Sequence, residues 1–409
     1  MKSIWMVNHS SHTPDSGKWT RHYNLAQNLA QQGWRTRVIT ASVDRHGVEQ
    51  PLHPGEGFRH QEFDGFSFTY LRTPEYRGHG IGRIWNIMSF MFKAIGKAPH
   101  HGIPAPDVVV GCTVHPFAAL AGAVLAKRYG VPFFFEVRDL WPETLIQLGL
   151  TRRGSIPAKV LGALERYLYG RADRIISTLP NIGKYLEKNG ISSENVRWIT
   201  NGIDFSTLPE YAVPNEEDAF RILYIGSLAY SYGLETLIEA MALVQDRANG
   251  PKSVELDLVG DGELRQELEA RVEELGLKNI HFRGAVTRQE VPLLATKADA
   301  FVILVRDLPD LYCYGISMNK LTEYLAIGRP IIISVGDGVN NMVAEARAGL
   351  TVSPEQPEAL AEAIIELVGM PRDEQLKMGQ RGREFAKENL DYSYLAQKYV
   401  KVLAEVMDP

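Results

Sequence analysis

Short apolar runs rich in β-formers alternate with longer segments of helical periodicity along nearly the whole chain, and this alternation restricts its fold more than any other feature. Parallel strands need crossover connections, and helices supply them, so the pattern implies a doubly wound α/β architecture. In the first half the strand-like runs fall at 4–7, 37–40, 108–110, 133–137, 175–177 and 196–199, with helical spacing in 24–32 and 158–169. The pattern restarts at 221–225 and continues through 255–259, 280–282, 300–305, 330–335 and 350–352. The 409 residues exceed the roughly 250–300 at which a single core stops growing. Two Rossmann-like domains are therefore expected, at 1–203 and 204–385, with the junction at Asn201-Gly202-Ile203-Asp204 and the polar stretch through 214–218. The last helical region, 386–409, is expected to pack back on the first domain.

A net charge of -5 argues against a nucleic-acid partner, which requires clustered excess Lys and Arg. Cys112 and Cys313 lie far apart in segments of different character, as in a reduced cytoplasmic protein. The opening residues 1–7 read as a first strand rather than a signal peptide. Residues 108–126 carry no formal charge, but Gly111-Cys112-Thr113 and His115-Pro116 interrupt them, which suits a strand, a turn and a helix start better than a membrane span.

The chemically most informative segment is Gly315-Ile316-Ser317-Met318-Asn319-Lys320-Leu321-Thr322-Glu323, followed by Gly328-Arg329-Pro330 and an apolar strand. A loop of small and polar residues opens onto a helix there, and the first N–H groups of a helix form a positive end suited to diphosphate. Lys320 adds a point charge, and Glu323, one turn on, can accept hydrogen bonds from sugar hydroxyls. A capped helix with a solvated ion pair accounts for the same residues. Gly226-Ser227, between the first strand of the second half and its helix, sits where ligands bind in such sheets. Gly260-Asp261-Gly262 follows another strand but lacks the third glycine of a dinucleotide fingerprint, so a tight turn and helix cap is the simpler reading.

In the first half, Gly17 in Thr13-Pro14-Asp15-Ser16-Gly17-Lys18 marks a loop ahead of a helix. Glu136-Val137-Arg138-Asp139-Leu140-Trp141-Pro142-Glu143 places four charges at the end of an apolar strand. Charges so placed are expected to face a cleft or solvent, because an unpaired buried charge is costly; an Arg–carboxylate network is the alternative. His115, also just after a strand, is a candidate for substrate contact or for a structural role. No histidine or cysteine spacing of the HExxH or CxxC kind occurs, so no metal is expected, and neither a GxSxG elbow nor a P-loop is present. Residues 81–97 form an apolar helix with Arg83, Lys93 and Lys97, suited to an anionic membrane surface or to packing on its own domain.

Taken together, these segments resemble the GT-B glycosyltransferases, and the chain is similar over nearly its whole length to family 4 (group 1) retaining enzymes. The likeness rests on Pro106-Asp107-Val108-Val109-Val110, Arg171-Ala172-Asp173-Arg174-Ile175-Ile176-Ser177, Asn201-Gly202-Ile203-Asp204, Val259-Gly260-Asp261-Gly262 and Glu323-Tyr324-Leu325-Ala326-Ile327-Gly328-Arg329-Pro330. Arg138–Glu143 and Ser317–Leu321 resemble the bacterial surface-polysaccharide branch, which includes amino-deoxysugar transferases. The resemblance implies two Rossmann-like domains facing a cleft, with donor binding mainly in the second and acceptor binding mainly in the first. By position, Glu323 would hold the ribose of a nucleotide sugar, the Gly315, Ile316, Ser317, Met318 backbone would meet sugar and phosphate, and Gly284, Ala285 and Val286 would contact the base. The chain departs from the family pattern at Gly315, where a donor-binding Glu is usual, and at Ser227 and Tyr232, where Arg and Lys usually serve the diphosphate.

The expected function is thus metal-independent transfer of a sugar from a nucleotide-sugar co-substrate, UDP-linked, to a lipid-linked or polysaccharide acceptor, with no further cofactor. Lys320, helped by Arg306, would stabilise the departing diphosphate, while Arg138, Asp139 and Glu143 would line the acceptor or sugar side. The enzyme is expected in the cytoplasm, with peripheral contact on the inner face of the plasma membrane. A nucleotide-sugar 2-epimerase and an inactive nucleotide-sugar-binding scaffold are the rival readings.

Overall fold

A computed structural model describes residues 2–43, 52–76, 78, 80–211, 219–247, 253–287 and 289–407; the expected polar stretch 214–218 lies outside them. The chain divides into two compact units, Met1–Thr200 with Tyr392–Pro409, and Asn201–Asp391.

The first unit contains β1 (Lys2–Val7), α1 (Arg21–Gln31), β2 (Trp34–Ala41), β3 (Phe58–Glu62), β4 (Phe66–Leu71), α2 (Ile81–Ile95), β5 (Val108–Cys112) and α3 (Pro116–Tyr129). It continues with β6 (Phe133–Val137), α4 (Glu143–Gln147), α5 (Ile156–Arg171), β7 (Arg174–Ser177), α6 (Ile182–Lys188) and β8 (Val196–Trp198). The strands form one sheet in the order β3-β4-β2-β1-β5-β6-β7-β8. All neighbours are parallel except β3 with β4. The pair β3 and β4 has no counterpart among the expected runs: 58–62 is half-buried and polar and gives no apolar run, while β4 is wholly buried but interrupts its apolar residues with Ser67 and Thr69. Residues 108–126 resolve into β5, a turn and the start of α3, with Gly111 and Gly122 packed so closely that a Cβ on Gly122 would lie 2.8 Å from the Gly111 Cα. The helix Tyr392–Met407 buries Tyr392, Leu395, Ala396, Tyr399 and Leu403 in the same core as α1 and the central strands of this sheet.

The second unit runs β9 (Ala219–Ile225), α7 (Leu234–Arg247), β10 (Ser253–Val259), α8 (Arg265–Glu274), β11 (Ile280–Gly284), α9 (Val291–Thr296) and β12 (Ala300–Leu304). It then passes through α10 (Pro309–Tyr312), α11 (Asn319–Ile327), β13 (Ile331–Ser334), α12 (Met342–Glu345), β14 (Gly349–Val352), α13 (Pro357–Gly369) and α14 (Arg372–Asn389). Its sheet order, β11-β10-β9-β12-β13-β14, reverses direction beside β9, and every pairing is parallel. Such a reversal leaves a crevice at the carboxyl ends of the central strands. The apolar runs of β12 and β13 are buried on both faces, as covered parallel strands require.

Candidate active site

In the second unit the loops after β9 and β10 and the start of α11 converge. Their contact depends on glycine. A Cβ on Gly260, whose φ is +143°, would lie 1.8 Å from the Gly226 carbonyl oxygen, and one on Gly262 would lie 2.4 Å from the Leu228 oxygen. The two loops are also joined by Gly226 N–H to Val259 O (2.9 Å) and Leu228 N–H to Asp261 O (3.0 Å), and Gly260 N–H ties the second loop to Gly284 O at the end of β11 (2.8 Å). Gly260 and Gly262 thus hold the Gly226-Ser227 loop in place, and Ser227 itself is exposed.

Lys320 is folded beneath this loop rather than reaching out from α11. It is buried, its Nζ donates to Tyr224 Oη at 2.9 Å, and the Tyr224 hydroxyl donates onward to the Ser227 carbonyl at 2.8 Å. The same ammonium lies 3.7 Å from the Tyr232 ring centroid and 4.1 Å from that of Tyr224. Burial, with no other cause, lowers the Lys320 pKa from 10.5 to about 7. A cation held on two aromatic faces with no carboxylate acting on it keeps its full attraction for an incoming anion.

The α11 N-terminus has no side-chain cap, and Leu321 N–H turns back to the Met318 carbonyl at 3.2 Å, so the N–H groups of Asn319 and Lys320 are the ones offered to a ligand. The approach loop is braced from both sides. Ile316 N–H donates to Asn340 Oδ1 (2.6 Å) while Asn340 Nδ2 donates to Ile316 O (3.1 Å), and Asn201 Nδ2 donates to the Ser317 carbonyl (3.0 Å) and hydroxyl (3.1 Å). Gly315 is buried with φ +109°, a conformation that L side chains rarely adopt. Glu323 is buried on the next turn of α11. Its neighbour Tyr324 stacks on Phe301 at 4.1 Å and accepts the Ile225 N–H at 2.6 Å, which fixes the rotation of the helix against β9. Gly284 ends β11, Ala285 is exposed, and Val286 packs partly into the core. Met318 also packs partly into that core, and Asn319 is half-buried at the first turn of α11.

Arg306 does not stand free to assist. Glu235 and Glu355 hold its guanidinium at 2.5 and 2.9 Å, and it lies over the Tyr230 ring at 4.1 Å. Two carboxylates already neutralise it, so the charge nearest the glycine loop belongs to Lys320.

In the first unit the 136–143 segment divides. The expectation that its four charges face outward fails for Glu136, which is wholly buried. Arg21 Nε (3.3 Å) and His22 Nε2 (3.1 Å) meet its carboxylate. Burial alone would raise the Glu136 pKa, but Arg21 and His22 outweigh it and hold the group well below the usual carboxylate range. Arg21 also donates to the Thr200 and Ile199 carbonyls, at 2.5 and 3.0 Å, so the end of the first unit is tied to the centre of its sheet. Arg138 is half-buried and Asp139 exposed. Glu143 bonds to Arg153 (2.6 Å) and Gln147 (2.7 Å), the Arg–carboxylate network of the alternative. His115 caps α3 by accepting the Ala118 N–H at 3.3 Å and is buried, a structural placement. Gly17 closes a short turn with φ +66° and open space around it.

His22, Cys112 and Glu136 bring ligand-type atoms within 4.8 Å of one another, a grouping that sequence spacing hides. Their chemistry does not suit a cation: the Arg21 guanidinium already occupies the carboxylate, and burial keeps the Cys112 thiol protonated by raising its pKa. Among the described residues no helix is long and apolar enough to cross a membrane.

A model of the family described as Glycosyltransferase Family 4 matches residues 16–207, and one described as Glycosyl transferases group 1 matches residues 219–369. The chain belongs to the family 4, group 1 glycosyltransferases. This glycosyltransferase is 25% identical to the putative colanic acid biosynthesis glycosyl transferase WcaI of Escherichia coli (strain K12), over 97% of this chain and 98% of that one. It is 28% identical to the D-rhamnosyltransferase WbpZ of Pseudomonas aeruginosa over 49% of this chain and 51% of that one. Among solved structures, sucrose-phosphate synthase from Thermosynechococcus elongatus superimposes with a TM-score of 0.75 at 17% identity, over 100% of both chains. Anabaena HepE in complex with UDP-glucose gives 0.65 at 15% identity, over 99% of this chain and 100% of that one. The fold is therefore the two-domain GT-B class expected from the sequence, and the glycosyltransferase is an enzyme as expected.

Proposed function

We propose that this glycosyltransferase moves a sugar, with retention, from a UDP-linked donor to a hydroxyl of a lipid-linked or polysaccharide acceptor in bacterial cell-surface glycan synthesis, on the cytoplasmic side. The full-length likeness to a relative named for colanic acid biosynthesis supports the pathway class. A neighbour of the same fold held with UDP-glucose supports the donor class. The observation that carries the reading is the buried Lys320 ammonium beneath the Gly226 loop at an uncapped helix N-terminus.

In this reading the second unit binds the donor. The α11 N–H groups and Lys320 stabilise the diphosphate as negative charge grows on it, the strongest stabilisation that preorganised donors and a fixed charge can supply to a departing anion. Glu323 accepts from the ribose, and the Gly284, Ala285, Val286 turn meets the base. The acceptor sits against the first unit, with Arg138, Asp139 and Glu143 near it. The acceptor hydroxyl attacks the anomeric carbon on the face the diphosphate leaves, and the departing phosphate oxygen takes its proton. No metal or further cofactor enters the scheme, and the nucleotide sugar is a co-substrate.

The test is UDP release from UDP-glucose and related UDP-sugars, with and without a lipid-linked glycan acceptor. Acceptor-dependent release that falls at least about a hundredfold in Lys320→Met supports the reading, as loss of one preorganised donor does elsewhere. UDP-sugar conversion without acceptor, or no stabilisation of the protein by any UDP-sugar, refutes it; at about 100 times Kd, a bound ligand adds about 2.7 kcal/mol.

A further inference from the structure

Two helices of the first unit carry apolar stripes on their outer faces. On α2, Ile81, Ile84, Trp85 and Phe92 are 61–85% exposed, at the i, i+3, i+4, i+11 positions of one face, while Asn86, Phe90, Met91 and Ala94 cover the inner face. On α5, Ile156 and Val160 are 54–78% exposed and continue into Ala163 and Tyr167, while Ala158, Glu165, Leu168 and Tyr169 point inward. Both helices pack against α3, so the stripes belong to one helical layer of this unit. Large apolar side chains grouped in this way on a domain surface mark a contact surface.

The charge around the stripes identifies the partner. Residues 81–97 and 150–171 hold eight Lys and Arg and a single acid, Glu165, and that acid is buried. The chain as a whole carries -5, so the basic excess is local. Of the eight, Arg153 is paired with Glu143 of α4; a protein partner would be met by mixed charges, whereas an apolar stripe flanked by a local excess of cations matches the acyl boundary and headgroups of an anionic bilayer. We infer that α2 and α5 together form a two-helix face that docks on an anionic membrane, inserting Ile84, Trp85, Phe92 and Ile156 while Lys93, Lys97, Lys159 and Arg166 meet the headgroups. Neither helix spans the bilayer: at 15 and 16 residues both are shorter than the roughly 20 a span requires. The face rests on the proposed lipid-linked acceptor only for its purpose, which is to bring the enzyme to its substrate.

The test is flotation of the full chain with vesicles of phosphatidylcholine plus phosphatidylglycerol, against phosphatidylcholine alone. Binding is expected to the anionic vesicles and to weaken steeply with salt. Lys159→Ala with Arg166→Ala should weaken it roughly thirtyfold, the loss of two cations near a charged surface, and Trp85→Ala with Phe92→Ala at least about tenfold, the loss of two inserted rings. All four positions are exposed, so circular dichroism and UDP-glucose binding should not change in either variant. Equal flotation on neutral vesicles overturns the inference, as does an α5 pair with no effect, or a dimer in sedimentation that the same substitutions abolish. The readout uses neither donor nor acceptor, so its failure leaves the transfer reading standing, and failed transfer leaves the docking face standing.

Discussion

Lys320 couples donor binding to proton uptake. Burial lowers its pKa to about 7, so near neutral pH much of the free protein holds it uncharged. A diphosphate brought against it restores the charged form and raises its pKa toward the ordinary 10.5. The donor should then bind as if only the protonated fraction of the free protein were competent. That fraction is about 0.9 at about pH 6 and about 0.03 at about pH 8.5, so Kd should weaken roughly thirtyfold across the window, or about 2 kcal/mol at 1.36 kcal/mol per pKa unit. The ligand should be UDP-glucose, because both its phosphates are diesters and do not titrate there, whereas the terminal phosphate of UDP does. Calorimetry at about pH 8 in two buffers of different ionisation enthalpy should report uptake of about 0.9 proton per donor bound. Lys320→Met should abolish both the uptake and the pH slope. A Kd that is flat from pH 6 to 8.5 with no proton uptake, in a protein that still binds UDP-glucose, would falsify the placement of Lys320 against the diphosphate.

Four further outcomes follow from buried groups and from the space around two glycines. Glu165 accepts from Tyr185 (2.8 Å), Tyr169 (3.2 Å) and Trp141 N–H (3.2 Å), and burial lifts its pKa from 4.5 to about 7. Between those values the folded protein binds more protons than the unfolded one, so stability falls as pH rises through the window, and Glu165→Gln should remove a slope worth about 3 kcal/mol in urea titrations. Arg21→Met leaves Glu136 buried without its guanidinium partner and should cost about 3–5 kcal/mol, seen as a drop of roughly 10 °C in Tm. Gly260→Ala should collapse UDP-glucose binding, since its Cβ would sit 1.8 Å from a carbonyl oxygen. Gly17→Ala meets open space, so it should cost only the left-handed backbone penalty of about 1–2 kcal/mol in denaturation.

The fold was legible because both sheets are parallel apart from β3 and covered, so most of their strands read as apolar runs. The strand β3 was not, because it lies at the edge of its sheet and carries Arg59, His60 and Gln61. Glu136 was misread for a related reason. A charge at a strand end looks solvent-facing until its partners are known, and Arg21 and His22 come from a helix more than a hundred residues earlier. The glycine loops and the helix start of the donor-type site were readable as local patterns. The aromatic walls around Lys320 were not, since Tyr224 and Tyr232 belong to another strand and loop and meet Lys320 only through the sheet order.

That aromatic cage gives the departures at Ser227 and Tyr232 a physical meaning. The family resemblance implies basic residues there, yet the Tyr232 ring lies 3.7 Å from the Lys320 ammonium. Two unit charges about 4 Å apart repel by about 4 kcal/mol at an effective dielectric of about 20. A second cation at position 232 and a buried Lys320 therefore exclude each other, and Tyr232 both removes the clash and stabilises the ammonium by its ring face. Tyr232→Lys, which restores the family residue, should accordingly lower Tm and drive the Lys320 pKa down further, so that UDP-glucose binding near neutral pH weakens. If the substitution instead tightens UDP-glucose binding tenfold with Tm unchanged, the two positions hold separate charges, and Lys320 does not stand in for the missing one.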